Sequence, residues 1–297
     1  MKFSIPASLA PAYEECLRQA NTHYENFPVA SLLLPSESRA PVAALYAFAR
    51  TADDFADEPE YDGRRAREIN RWQKSLRNAL QGKPAPPILR AFAHTLHWFK
   101  IPAKLPLALL KAYRMDLKVR RYSTWKDLLY YCRHSANPVG RMVLFISGIR
   151  DEKLHRYSDF ICTGLQLINF WQDSATDLKR GRIYYPQAAL KKAGITSKDL
   201  LAMKDSPQTR RLAQDAVDYT QIYFAQGLPL LDAVPGRLRW ELKATVLGGQ
   251  GILNKIRKMD YNVLERRPAW STVEKAALAW RALFKTSISI PRKDETA

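Results

Sequence analysis

Cysteine and glycine are scarce: 297 residues contain 3 and 12 of them. An odd cysteine count, with Cys16, Cys132 and Cys162 far apart, excludes a disulfide framework and a paired-cysteine zinc site and fits a reducing compartment. Long apolar runs are missing as well. Stretches such as Met142–Ile146 fall far short of the roughly 18 residues that cross a bilayer, and Met1–Ala10 has no apolar signal-peptide core, so a cytoplasmic chain is expected. Alternating β-branched runs are rare, and no glycine-rich phosphate turn follows a strand, which argues against a Rossmann-type NADPH site. Nor is there a helix-turn-helix, zinc-finger or aromatic-platform pattern, so no nucleic-acid partner is expected.

What is present is positive charge and helical periodicity. Lys and Arg number 47 against 29 acidic residues, a formal charge of +18 that favours anionic partners such as diphosphates or acidic membrane surfaces. Apolar residues recur three or four apart in segments rich in helix formers, and the chain reads as all α. Helices are predicted over about 8–25, 37–58, 63–81, 86–98, 104–120, 124–148, 154–178, 206–228, 238–263 and 271–285. Short breaks at Lys83–Pro87, Ile101-Pro102, Gly181, Pro186 and Pro235-Gly236 separate them without any low-complexity linker, so residues 1–297 are expected to form one helical domain.

Two segments carry the chemistry. Ala40–Ala49 has no charged residue, as in a helix enclosed by other helices, and runs directly into Arg50-Thr51-Ala52-Asp53-Asp54-Phe55-Ala56-Asp57. At about 100° per residue Tyr46, Arg50, Asp53 and Asp57 share one stripe, which predicts carboxylates projecting toward the interior. The uncharged segment Phe160–Trp171 likewise places Gln166, Asn169, Asp173 and Asp177 on one face. A lone D-x-x-x-D is ordinary on a solvated helix, but two that each end an uncharged helix are not. Crowded carboxylates need a counter-charge, and an all-oxygen donor set suits Mg²⁺, which also takes water and phosphate oxygens.

Other features stay open between structure and function. Pro138 and Gly140 interrupt a helical pattern in Tyr130–Arg141 and predict a kink, either structural or facing a cavity. His94 and His97 share a helix face but lack a third ligand nearby, so packing or surface roles are expected. Gly236–Ala297 holds 13 basic and 6 acidic side chains interleaved with Trp240, Leu242, Leu253, Ile256, Trp270 and Trp280. That pattern suits either peripheral contact with an anionic membrane or an ordinary amphipathic helix with a basic outer face.

Taken in order, Asn26–Pro35, Tyr46–Arg50 with Asp53–Asp57, Arg114-Met115-Asp116, Tyr131–Gly140, Gln166–Asp177 and Gly181–Pro186 resemble the squalene and phytoene synthases, the isoprenyl diphosphate synthases that join chains head to head. Tyr131–Gly140 and Asn169–Asp173 are most similar to the hydroxysqualene synthase branch found in bacterial hopanoid pathways. The resemblance implies an isoprenoid synthase fold, with helices surrounding a central cavity. It implies Mg²⁺ held by Asp53, Asp57, Asp173 and Asp177, with Asp54 as a helper. Arg50, Tyr46, Arg182 and Tyr184 would bind the diphosphate, Lys179 and Arg180 being either helpers or solvated charge. Tyr131 matches a pocket position, and Gly140, Gln166 and Asn169 belong to the same substrate-binding set. Phe27, Phe170 and Trp171 are wall candidates, ordinary core packing being the competing reading.

The chain departs from the family pattern where most relatives carry Arg and Glu, at Gln172 and Thr176, and where Ser135-Ala136-Asn137 replaces Val-Ala-Gly. These departures imply a synthase that ionises presqualene diphosphate and captures the cation with water, Asn137 holding that water with Ser135 or Tyr131. Condensation of two farnesyl diphosphates is the enzymatic alternative. A non-catalytic, membrane-peripheral assembly factor is the other, weighed against by retention of both aspartate pairs.

Overall fold

The computed structural model describes residues 3–22, 35–271 and 274. Among them regular structure is helical throughout: α1 (Ala10–Thr22), α2 (Ser36–Asp57), α3 (Arg65–Leu80), α4 (Pro87–Trp98), α5 (Lys104–Asp116), α6 (Trp125–Ser135), α7 (Asn137–Ile146), α8 (Glu152–Gln172), α9 (Ser174–Lys179), α10 (Gln187–Ala193), α11 (Ser197–Leu201), α12 (Pro207–Gly227), α13 (Pro229–Ala233) and α14 (Gly236–Lys258). Two compact units emerge, one of residues 1–118 and 134–155, the other of 119–133 and 156–297.

In the first unit α2 is the central helix, in contact with α1, α3, α4, α5 and α7. Its alanines explain this: Ala43, Ala44, Ala47, Ala52 and Ala56 are buried and let neighbouring backbones approach. The Phe48 ring stacks on Phe92 of α4 at 4.3 Å, and Trp72 of α3 donates its indole N–H to the Phe48 carbonyl at 3.3 Å. Tyr13 of α1 donates its buried hydroxyl to the Ala91 carbonyl at 2.9 Å, with Thr95 Oγ1 at 2.8 Å and His94 Nδ1 at 2.9 Å. His94 therefore has a packing role, and burial lowers its pKa; His97 is exposed.

The second unit is organised by α8, α12 and α14. Gly164 and Gly249 bring backbone against the Phe224 ring of α12. Trp171 is fully buried, donates to Thr220 Oγ1 at 2.7 Å and stacks on Tyr185 at 4.7 Å, so its role is core packing rather than a cavity wall.

Two predicted helices are divided. The span 124–148 breaks at Ala136 (φ −115°), because α6 ends at Ser135 and Pro138 sits in the first turn of α7, where its missing N–H costs nothing. The span 154–178 turns at Asp173 (φ −99°, ψ 12°). The backbone bonds Asp173 N–H to Asn169 O and Asp177 N–H to Asp173 O, each 2.9 Å, carry the ladder through the turn. Helices α10, α11 and α13, of 7, 5 and 5 residues, are too short for the periodicity to reveal. Nearly all of the predicted helix 271–285, with Trp280, lies outside the described residues.

Replacing Phe48 with Ala would leave a cavity between α2 and α4. Phe48→Ala is expected to cost about 3–5 kcal/mol in urea unfolding, and a loss below about 1 kcal/mol would show that the stack on Phe92 does not hold the first unit together.

Candidate active site

The first acidic motif ends α2. Arg50, one turn before the aspartates, lies 2.8 Å from Asp54, 3.8 Å from Asp53 and 3.7 Å from Glu58, so a single guanidinium serves three carboxylates. The helix end is closed from α3, where the Arg65 guanidinium donates to the carbonyls of Ala56, Asp57 and Glu58, the cation placement a helix C-terminus favours. Tyr113 of α5 donates its hydroxyl to the Ala49 carbonyl at 3.0 Å. Burial, with Asp53 and Asp116 nearby, pushes its phenol well above the usual range. Tyr46, on the same stripe as Arg50, is half-buried. Arg114 is spent on packing, bonded to Asn70 and Gln73 of α3.

Within this unit the start of α7 is polar. Asn137 is buried, and the Ser135 Oγ is buried with no hydrogen-bond partner among the described residues. Gly140 lies one turn further on, within α7. Phe27 lies outside the described residues.

The second motif, in the other unit, ends α8. Gln166, Asn169 and Asp173 keep one face, and the turn at Asp173 passes the register to Asp177 on α9. Arg182 N–H donates to the Asp177 carbonyl at 2.8 Å. Gly181, at φ +72°, turns the chain so that 181–188 runs beside 120–123. The bonds Ile183 N–H to Arg120 O (3.1 Å), Gln187 N–H to Tyr122 O (2.9 Å) and Ala188 N–H to Ser123 O (3.1 Å) join the two segments. That pairing assembles an aromatic group beside the motif. Tyr184 stacks on Phe170 at 3.8 Å and 8°, Tyr122 stacks on Tyr184 at 5.9 Å, and Tyr131 lies 5.8–6.3 Å from Tyr122, Phe170 and Tyr184. Tyr131, Phe170 and Tyr184 were expected at a site; Tyr122 was not, because only backbone pairing between distant segments brings it there. Lys179 and Arg180 are exposed.

At Asp173 the counter-ion comes from far along the chain: Arg267, in the extended segment after α14, pairs with its carboxylate. No local sequence pattern signals it. Gln172 is buried and donates its side-chain amide to the Pro268 carbonyl at 2.7 Å.

The interior placement of the carboxylates needs correction. Asp53, Asp54, Asp57, Asp173 and Asp177 are all half-buried, since charged helix ends that keep water avoid most of the desolvation cost. Among the described residues no three His, Cys, Asp or Glu side chains stand together to enclose a metal ion. The carboxylates come one to three per helix end, partly exposed and all oxygen. This donor set fits Mg²⁺, which binds through one or two carboxylates, water and substrate phosphate oxygens.

The apolar residues of α14 point inward: Leu238, Leu253 and Ile256 are buried, while Trp240 carries the Lys243 ammonium 5.0 Å above its ring. No helix among the described residues is long and apolar enough to cross a membrane.

Tyr185, beside Ser174 at the start of α9, is buried, and burial pushes its phenol up to about 12. Its contribution to stability is complete below the unfolded value near 10 and is lost as pH rises through 12. Tyr185→Phe is therefore expected to flatten the fall in unfolding free energy between pH 10 and 12 relative to the parent; an unchanged slope would refute the buried phenol.

Comparison with known proteins follows the same lines. The squalene/phytoene synthase family profile matches residues 20–274. The crystal structure of squalene synthase HpnC from Alicyclobacillus acidocaldarius is 40% identical and superposes with a TM-score of 0.83 over 87% of this chain and 97% of that one. Hydroxysqualene synthase from Rhodopseudomonas palustris is 36% identical over 72% of this chain and 73% of its own length. The 15-cis-phytoene synthase of Synechococcus elongatus is 28% identical over 89% and 91%. A dehydrosqualene synthase, 22% identical with a TM-score of 0.83, shares the fold. The all-α architecture is that of the isoprenoid synthases, and this chain belongs to the squalene/phytoene synthase family of isoprenoid-synthesising enzymes.

Proposed function

We propose that this protein is a hydroxysqualene synthase, converting presqualene diphosphate and water to hydroxysqualene and diphosphate as one catalytic domain. The observation that carries the reading is the polar start of α7. Ser135 Oγ is buried without a partner among the described residues, and Asn137, two residues on, is buried too. A buried hydroxyl of this kind is a place for an ordered water, which is the co-reactant that distinguishes alcohol formation from hydrocarbon formation. The likeness to the Rhodopseudomonas palustris hydroxysqualene synthase supports the same substrate.

In this reading Asp53, Asp54, Asp57, Asp173 and Asp177 hold Mg²⁺, which supplies positive charge to the departing diphosphate. Arg50 and Arg182 donate to phosphate oxygens, Tyr46 and Tyr184 flank them, and Gln166, Asn169 and Gly140 line the bound substrate. After the carbon–oxygen bond breaks, the electron pair leaves with diphosphate and a cyclopropylcarbinyl cation remains, which rearranges, one C–C bond of the three-membered ring breaking as the new bond to oxygen forms. Faces of Tyr131, Phe170, Tyr184 and Tyr122 suit that charge while keeping bulk water away. Asn137 and Ser135 hold one water, whose oxygen forms the new bond to carbon and whose proton passes to solvent. Attachment to the cytoplasmic face of a membrane belongs to the same proposal, because a C30 alcohol partitions into lipid.

Condensation of two farnesyl diphosphates is the second reading, favoured by the likeness to 15-cis-phytoene synthase over most of the chain. Incubation with Mg²⁺ and either diphosphate, without NADPH, separates the two by mass spectrometry of the extracted lipid. Hydroxysqualene from presqualene diphosphate is expected; turnover of farnesyl diphosphate alone would replace this reading by the second. Asp53→Asn and Asp173→Asn are each expected to lower turnover at least about a hundredfold. Asn137→Ala is expected to cut the alcohol fraction about tenfold while presqualene diphosphate is still consumed, and an unchanged alcohol yield would remove Asn137 from the water site.

A further inference from the structure

After α14 the chain reverses through two consecutive left-handed residues, Asp260 (φ 49°) and Tyr261 (φ 58°), and returns, by way of a turn at 263–265, as an irregular strap over 262–271. The strap is seated, not loose. Val263, Leu264 and Pro268 are buried, and the Trp270 ring lies against Gly251 so closely that a Cβ there would overlap it. The Lys255 ammonium sits 5.2 Å above that ring and 2.6 Å from Glu274.

Two neighbouring residues at the end of α8 meet two neighbouring residues of this strap. Gln172 donates to the Pro268 carbonyl at 2.7 Å and Asp173 pairs with Arg267. The two contacts differ in kind. The Gln172 amide is buried in protein, whereas the Arg267 and Asp173 side chains are 50% and 33% exposed and face solvent. An exposed ion pair on long side chains is weak by itself and needs an anchor to persist. The buried amide bond supplies one, directly beside it.

We infer that Gln172 is a positioning residue: by holding the Pro268 carbonyl it fixes Arg267 against Asp173, so that the guanidinium serving the second aspartate motif is delivered from the strap. Gln172 is itself uncharged, and the positive charge beside Asp173 comes from Arg267, 94 residues away in sequence. Arg267 orients the Asp173 carboxylate in the free protein, and its guanidinium has further N–H donors to turn to a phosphate oxygen when a diphosphate arrives. This inference rests on the reading of the second motif as a diphosphate site.

The test uses the full chain, inorganic pyrophosphate with Mg²⁺ as the probe, and calorimetry. Gln172→Met keeps the length of the side chain, stays uncharged and removes the donor; Arg267→Gln removes the charge. Each is expected to weaken pyrophosphate binding about tenfold, and the double variant no further than Arg267→Gln alone, because Gln172 acts through Arg267. Gln172→Arg combined with Arg267→Gln should recover most of the affinity by placing a charge at 172. Multiplying effects in the double variant, or full affinity in Gln172→Met, would overturn the inference. Hydrogen exchange of peptides covering 262–271 gives a second readout independent of pyrophosphate: Gln172→Met should lose strap protection while the rest of the protein exchanges as before. If the parent protein binds no pyrophosphate, the proposed function fails, and strap exchange still decides whether Gln172 anchors the strap, an unchanged pattern sinking it.

Discussion

Carboxylates gathered at a helix end repel one another, and everything around the two motifs answers that repulsion. On α2 the answer is local. Arg50, one turn earlier, reaches Asp53, Asp54 and Glu58, and Arg65 closes the helix end through its carbonyls. At the end of α8 the answer is remote, with Arg267 brought back by a strap that Gln172 and Gly251 hold down. In both cases a guanidinium meets the acids while leaving them partly exposed, which keeps their desolvation cost modest.

Apolar packing sets where those ends fall. Alanine-rich α2 sits among five helices of its unit, so its C-terminal stripe is placed by the Phe48–Phe92 stack and the Trp72 bond to the Phe48 carbonyl. In the second unit Trp171 and Tyr185 fill the core on one side of α8 while Phe170 and Tyr184 stack on the other. Burial separates these rings only in part: Trp171, Tyr185 and Phe170 are all buried, whereas Tyr184 is half-buried.

The sequence is legible where a property repeats along one helix. The uncharged run before Asp53 marked α2 as enclosed, and the spacing of Asn169, Asp173 and Asp177 kept its register even though the helix turns at Asp173, because backbone bonds four residues apart continue through the turn. The same logic overran at 124–148, where the periodicity passes through Ala136 but the backbone of α6 does not. It also overstated burial: apolar neighbours along a helix say which face is covered, not whether the charged turn beyond it keeps water.

By itself the sequence determined the all-α class, the long helices, the two aspartate stripes and the family, because these depend on residue type and on neighbours three or four positions apart. Tertiary structure alone decided which distant side chains complete them. Tyr122 joins the aromatic group through backbone bonds between 120–123 and 181–188, and Arg267 reaches Asp173 because two left-handed residues reverse the chain after α14. Pairings of that kind are set by where the chain turns and what the packed core leaves open, and no local pattern encodes either.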